Sequence, residues 1–343
     1  SPGVGAQAGG DFKLRQPQKE ISVTAGETLT LNCTVSGTGP LGPVKWLKGW
    51  GSGSEIIYDQ RGSSPRVTRA VDKSNTDFTI LISDVRREDA GTYYCVKFRK
   101  AEVNDKLFQH GNGTVVSVQA RPSNPVVSGP SRRAGPGQSV PFTCRAGGFF
   151  PRDIDVKWLK DRAPVEAQQT SVTPGPSNSS YNMSSTVMVT LRKDDVRSEL
   201  TCEVRHATLT APLTETYQLG RALRVPPNMD VVAELPGPVE VNKMVNFTCH
   251  VQEFYPEDVT VTWLENGTEM NAGSTPQLTE TAQGLFKLRS TVAVEAVEEK
   301  NGSTFTCRVV HDGQDPISRM AMLRVAAPAQ QGSSGSSNGD NSA

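Results

Sequence analysis

Asp89-Ala90-Gly91-Thr92-Tyr93-Tyr94-Cys95-Val96-Lys97-Phe98-Arg99-Lys100 is the stretch from which the architecture of the chain can be read. Thr92 to Phe98 is dense in aromatic and β-branched side chains, so it reads as a strand. A period of two sets Tyr93 and Cys95 on one face and Tyr94, Val96 and Phe98 on the other. A cysteine aimed at a core needs a partner. The strand then runs out into three cations, Lys97, Arg99 and Lys100.

The six cysteines fall as Cys33 and Cys95, Cys144 and Cys202, Cys249 and Cys307, with separations of 62, 58 and 58. Six cysteines allow about 15 pairings. The near-equal gaps favour one of them, because each also holds a tryptophan 13 or 14 residues after its first cysteine: Trp46, Trp158 and Trp263. Each pair then closes its own domain. Cysteine, tryptophan, cysteine at this spacing is similar to the immunoglobulin signature, in which the tryptophan packs on a disulfide joining two sheets. The expected fold is all-β, with three tandem immunoglobulin-like sandwiches. Tyr93, two residues before Cys95, stands where such sandwiches carry a tyrosine whose hydroxyl bonds back to the upstream backbone.

Disulfides closing loops of this length each stabilise by about 4 kcal/mol in the chain-entropy model, given an oxidising compartment. That points to the secretory route. Seven Asn-Xaa-Ser/Thr sequons agree, at Asn32, Asn112, Asn178, Asn182, Asn246, Asn266 and Asn301. Unused chance matches among them are the plainer alternative. Asn32 beside Cys33, and Asn246 three residues before Cys249, are expected to face outward by strand geometry. The net charge of +0 removes the general electrostatic footprint of nucleic-acid binding. No apolar run is long enough to span a bilayer, and no basic-then-apolar leader follows Ser1. A soluble, processed or truncated portion is therefore expected.

Residues 1–10 read as a disordered lead-in of Gly, Ala and Pro. A first domain, variable-type, is expected over 11–120. In it Leu29, Leu31, Cys33 and Val35 alternate with polar residues, and 36–43 is a loop of turn formers. Gly49 to Ser54 resembles a phosphate loop superficially, but no helix pattern or closing Lys-Ser/Thr follows, and a hairpin turn is the better reading. Trp46 to Cys95 is 49 residues, against 44 for the equivalent span in the other two domains. The surplus implies an extra edge strand near Glu55 to Tyr58. His110-Gly111-Asn112-Gly113-Thr114 then looks like the bulge motif of a variable-type last strand.

Second and third domains are expected over 121–225 and 226–326, each introduced by a proline-stiffened linker, and 327–343 reads as a flexible juxtamembrane stalk. Phe142-Thr143-Cys144 with Phe149-Phe150-Pro151 recurs as Phe247-Thr248-Cys249 with Phe254-Tyr255-Pro256. Both are followed by Cys-x-Val-x-His or its near equivalent, at Cys202 to His206 and Cys307 to His311. This is similar to the constant-type C1 pattern. Leu200 and Phe305 stand at the tyrosine-corner position, so that hydrogen bond should be missing from both. Pro141 in an expected central strand suggests a local bulge.

Over residues 11–330 the chain resembles the ectodomain of the signal-regulatory proteins, one variable-type domain followed by two of C1 type. The most specific matches are Tyr93 to Lys100, Pro125-Val126-Val127-Ser128-Gly129-Pro130, Pro151-Arg152-Asp153-Ile154 and Arg224-Val225-Pro226-Pro227. The resemblance implies a type I cell-membrane receptor whose first domain binds a cell-surface protein, integrin-associated protein being the leading candidate. It implies a tail beyond Ala343 that meets cytoplasmic phosphatases or an activating adaptor, and a salt bridge between Arg66 and Asp89. Carried over residue by residue, the ligand-binding tip comprises Leu41, Lys45, Gln60, Arg61, Lys97, Arg99 and Lys100. Independently of family, three cations at one tip would orient an acidic partner, with Leu41 as an apolar anchor. Solvated lysines without a role are the bland alternative. Relative to ligand-binding members, the loop after Tyr58 is about one residue shorter. The segment from Arg69 to Thr76 is about three shorter, and the loop after Lys100 is one longer. Changes of that size at a recognition tip can redirect specificity.

Other function classes fare less well. None of His-Glu-x-x-His, Gly-x-Ser-x-Gly or Cys-x-x-Cys occurs among residues that include only 4 histidines, so no enzyme, metal or cofactor is expected. An adhesive role through self-association of the Tyr94, Val96 and Phe98 face is the alternative, as is an activating paralogue with no affinity for integrin-associated protein. A soluble antigen-receptor-like chain is disfavoured by the second C1 domain and the stalk.

Overall fold

The computed structural model describes residues 11–176, 179–271 and 275–327. The lead-in 1–10, sequon Asn178 and nearly all of the stalk lie outside them. The described chain is all-β, with only short 3-10 turns between strands.

The stretch from Gly91 to Arg99 is the hub of the first domain. It is hydrogen-bonded to Val44–Lys48 on one side, and on the other to Thr114–Gln119 low down and Lys106–His110 higher up. Glu20–Thr24 joins parallel to Thr114–Gln119, and Glu55–Asp59 extends the sheet beyond Val44–Lys48. The surplus residues thus do form an added strand, though Gly62–Ser63 pairs outside it and takes the edge. Facing this sheet is a small one of Leu29–Leu31, Ile80–Ile82 and Val67–Arg69. Between them lie the Cys33–Cys95 disulfide and Trp46, whose indole N–H donates to the Phe78 carbonyl at 2.7 Å. The Gly-rich segment is one 3-10 turn, Gly51–Gly53, closing a hairpin.

The strand expected over 29–35 changes sheets part-way. Leu29–Leu31 pairs with Ile80–Ile82, whereas Thr34–Ser36 pairs with Lys13–Arg15. At the crossover Gln18 Oε1 accepts the Asn32 N–H at 2.7 Å and Thr79 Oγ1 accepts that of Cys33 at 3.2 Å. Side chains therefore satisfy the backbone where no strand does.

Each C1-type domain is two four-stranded sheets. Cys144–Cys202 and Cys249–Cys307 join them, and Trp158 and Trp263 donate to Ser185 Oγ and Ser290 Oγ, both at 2.9 Å. Pro141 makes no bulge. It stays in register opposite Met188, past the point where the neighbouring Val126–Ser128 strand ends at Thr143. A missing N–H on that open side loses no ladder bond. The register shift comes later, between Gly147 and Phe149, with Gly148 at φ +72°.

The two junctions share one construction. Ala120 exchanges both backbone bonds with Phe150, and Val225 does the same with Tyr255, at 2.8–3.0 Å. An arginine of the preceding domain covers each aromatic: Arg87 lies 3.5 Å from the Phe150 ring centre, Arg133 5.6 Å from that of Tyr255. His206 and His311 donate from Nε2 to the carbonyls of Pro151 and Pro256, each at 2.8 Å. Both histidines therefore hold the turn behind the junction.

Candidate functional site

The distal end of the first domain is built on the corner below it. Tyr93 Oη donates to the Asp89 carbonyl at 2.6 Å, the expected tyrosine corner. Arg66 grips Asp89 with two hydrogen bonds, at 2.8 and 3.0 Å. Burial pushes the Asp89 carboxyl up, but the Arg66 hydrogen bond, the Arg86 N–H and the Arg66 and Lys48 charges outweigh it and hold the pKa below the ordinary value. Leu200 and Phe305, at the same position in the other domains, are fully buried; Phe305 stacks on Phe247 at 4.7 Å. Hydrocarbon packing replaces the hydroxyl there.

From that anchor the Gly91–Arg99 strand rises to the tip. The Phe98 N–H donates to the Pro43 carbonyl and the Lys100 N–H to that of Leu41, both at 2.9 Å, so the 36–43 loop is bonded directly to the basic run. Gly42 allows this close approach: a Cβ there would fall 2.1 Å from the Phe98 carbonyl oxygen. The segment after Arg69 is pinned by that arginine, which donates to the Ser74 and Asp77 carbonyls at 2.5 and 2.6 Å and lies 4.5 Å over the Phe78 ring.

The seven proposed tip residues separate by environment. Leu41, 84% exposed, stands clear of the surface, and Gln60, Arg61, Arg99 and Lys100 are exposed as well. Lys45 is half-buried, 3.5 Å from Asp59 and 5.2 Å over the Phe98 ring. Lys97 is only 9% exposed, and the expectation of three free cations at one tip is corrected to two. Its Nζ donates to the Gly42 carbonyl at 2.6 Å, and its charge faces the Phe12 ring at 5.8 Å. Burial lowers its pKa. The signal was present in the sequence: the period of two that sends Tyr93 and Cys95 inward sends Lys97 the same way. Lys97 and Gln60 share a cleft of about 340 Å³ with Gly42, Asn75 and Phe78.

Two tip residues were missed. Val103, 89% exposed, crowns the loop after Lys100, and Phe12 is buried edge-on against Phe108 beneath the tip. The outer face also differs from expectation. Val96, set between Lys45 and His110 on the neighbouring strands, is fully buried even though it points outward. The exposed aromatic there is Trp50, resting on Tyr94 and His110 at 4.9 and 4.7 Å.

No group of side chains suited to a metal ion, and no helix long and apolar enough to cross a membrane, occurs among the described residues.

The immunoglobulin V-set model matches residues 16–119, and the C1-set model matches 126–209 and 231–314. Human signal-regulatory protein beta-1 is 42% identical over 92% of the chain and 80% of its own length. The chain belongs to the signal-regulatory protein family. A bovine relative, tyrosine-protein phosphatase non-receptor type substrate 1, is 43% identical over 98% of the chain and 67% of its own length. The word phosphatase in that name marks the relative as a substrate, not as an enzyme. Among solved structures, the ectodomain of mouse nectin-like molecule 4 aligns with a TM-score of 0.56 over 91% of this chain and 99% of its own, at 18% identity. That likeness concerns the fold alone. Signal-regulatory proteins are cell-surface immunoglobulin receptors of immune regulation, with type I membrane topology, and typically are not enzymes.

Proposed function

We propose that this chain is the extracellular part of a type I receptor that takes a cell-surface protein ligand on the distal loops of its first domain, with the second and third domains as a spacer. Integrin-associated protein is the leading candidate ligand, and control of phagocytosis is the corresponding role. The tail beyond Ala343 couples to cytoplasmic phosphatases or to an activating adaptor. The observation that carries the reading is the composition of the tip. Leu41 and Val103 project apolar surface beside Arg99 and Lys100, and neither cation has a carboxylate partner among the described residues. An apolar anchor ringed by unanswered charge suits an acidic protein partner, because charge steers encounter while buried apolar area supplies affinity.

Surface binding of the whole chain to integrin-associated protein tests this. Leu41→Asp should weaken binding at least tenfold, about 1.4 kcal/mol, and Arg99→Glu with Lys100→Glu should mainly slow association. Wild-type affinity in both variants removes the tip from the reading. A wild-type chain that fails to bind at all favours the activating paralogue.

Self-association of the first domain is the second reading, and Trp50, Ile56 and Leu107, exposed on the outer sheet face, favour it. A strict monomer in analytical ultracentrifugation at high concentration counts against it.

A further inference from the structure

One sequon opens onto a groove that nothing else explains. Asn182 is exposed in the Tyr181–Thr190 strand of the second domain, where Met183, Ser185, Val187 and Val189 alternate inward. It stands opposite Gly147 on one side and Thr173 on the other. The Gly148 N–H donates to Asn182 Oδ1 at 3.3 Å, and Asn182 Nδ2 has no hydrogen-bond partner among the described residues. Asn266 differs, since its Nδ2 donates to Ser303 Oγ at 3.2 Å. The linker between the first two domains meets the same spot. The Ser123 N–H donates to the Gly147 carbonyl and Ser123 Oγ accepts the Gly147 N–H, both at 2.9 Å. Around these contacts runs a groove of about 470 Å³, lined by Ser123, Asn124, Val126, Arg145, Asn182 and Met183. Val126 is 63% exposed in it.

The third domain treats the same position differently. Aligning the two Trp-to-Ser hydrogen bonds sets Lys287 where the second domain has Asn182. Aligning Val127 opposite Cys144 with Val231 opposite Cys249 sets Asp230 where it has Val126. The third domain thus presents charged side chains where the second presents Asn182 and Val126. Gly147 also leaves space for the asparagine, since a Cβ there would fall 2.3 Å from Asn182 Oδ1.

We propose that Asn182 carries an N-linked glycan whose first N-acetylglucosamine lies in this groove, its apolar face on Val126 and its hydroxyls toward Ser123 and Asn124, tying the linker to the second domain. The bond forms between Asn182 Nδ2 and sugar C1 as the C1–O bond to a lipid-linked pyrophosphate donor breaks. The amide gives up one proton, and the pyrophosphate leaves with the bonding electrons. The inference rests on the extracellular reading above, but not on any particular ligand.

The test uses the whole chain secreted from mammalian cells, with Asn178→Gln throughout to silence the neighbouring sequon. Glycopeptide mass spectrometry should find Asn182 occupied. Hydrogen exchange of the peptide spanning Ser123 to Val126 is then compared in four forms: untreated, trimmed by endoglycosidase to a single sugar, Asn182→Gln, and Ser184→Ala. The last variant keeps the asparagine but destroys its sequon. The first two forms should exchange alike and the last two at least threefold faster. An unmodified Asn182 with glycans at other sequons overturns the inference alone, whereas absence of glycan at every sequon overturns the secretory reading too. Equal exchange in all four forms, with Asn182 occupied, shows that the sugar does not sit in the groove and also overturns the inference.

Discussion

The second and third domains carry the same ion pair with its sign reversed. In the second, Lys160, two residues after Trp158, meets Asp195, seven before Cys202, at 2.9 Å. In the third, Glu265, two after Trp263, meets Lys300, seven before Cys307, at 3.3 Å. Strand end and 3-10 turn are brought together by the fold, and either polarity satisfies the site. The surroundings are not equal. Asp195 is buried and also accepts the Arg192 N–H at 2.8 Å and the Ser198 hydroxyl at 3.0 Å, so it caps its own turn. Lys300 is half-exposed and makes no comparable cap. The two C1-type domains thus preserve a position while varying its chemistry. At the distal tip, in contrast, Arg99 and Lys100 have no carboxylate partner among the described residues, which is where a partner would register.

This contrast is open to measurement by calorimetry of the whole chain, with one transition assigned to each domain. Asp195→Ala should cost the second domain about 3 kcal/mol, because it strands Lys160 and two turn donors at once. A cost no larger than that of the third-domain counterpart would break the comparison. Reversing the pair, Lys160→Glu with Asp195→Lys, should recover about 1–2 kcal/mol of that loss, restoring the ion pair but not the cap; no recovery would mean that the cap alone matters. Lys300→Ala should lower the third domain's stability by less than about 1 kcal/mol, as exposed pairs do. A larger effect would show that Glu265 is held as tightly as Asp195.

Much of the framework was legible without coordinates. Cys33, Cys95 and Trp46, with their two repeats, reported the sandwiches because a disulfide, an indole and a strand period leave few ways to share one core. Pro141 misled, since a sequence shows that a residue lacks an N–H but not that the adjacent strand has already ended. Lys97 misled for the opposite reason. Its charge suggested solvent, while the strand period, which was available, pointed inward. Val96 was beyond the strand pattern altogether, because alternation says which way a side chain points but not whether its surroundings will cover it.

The order of the domains and their disulfides follow from spacing along the chain, because those features are set by residues that must meet inside a single sandwich. The make-up of the tip, the sharing of one groove by Asn182, Val126 and Ser123, and the arginine over each junction aromatic follow only from the folded chain. They join residues from separate strands and separate domains, and whether such residues meet is a matter of packing that no local pattern encodes.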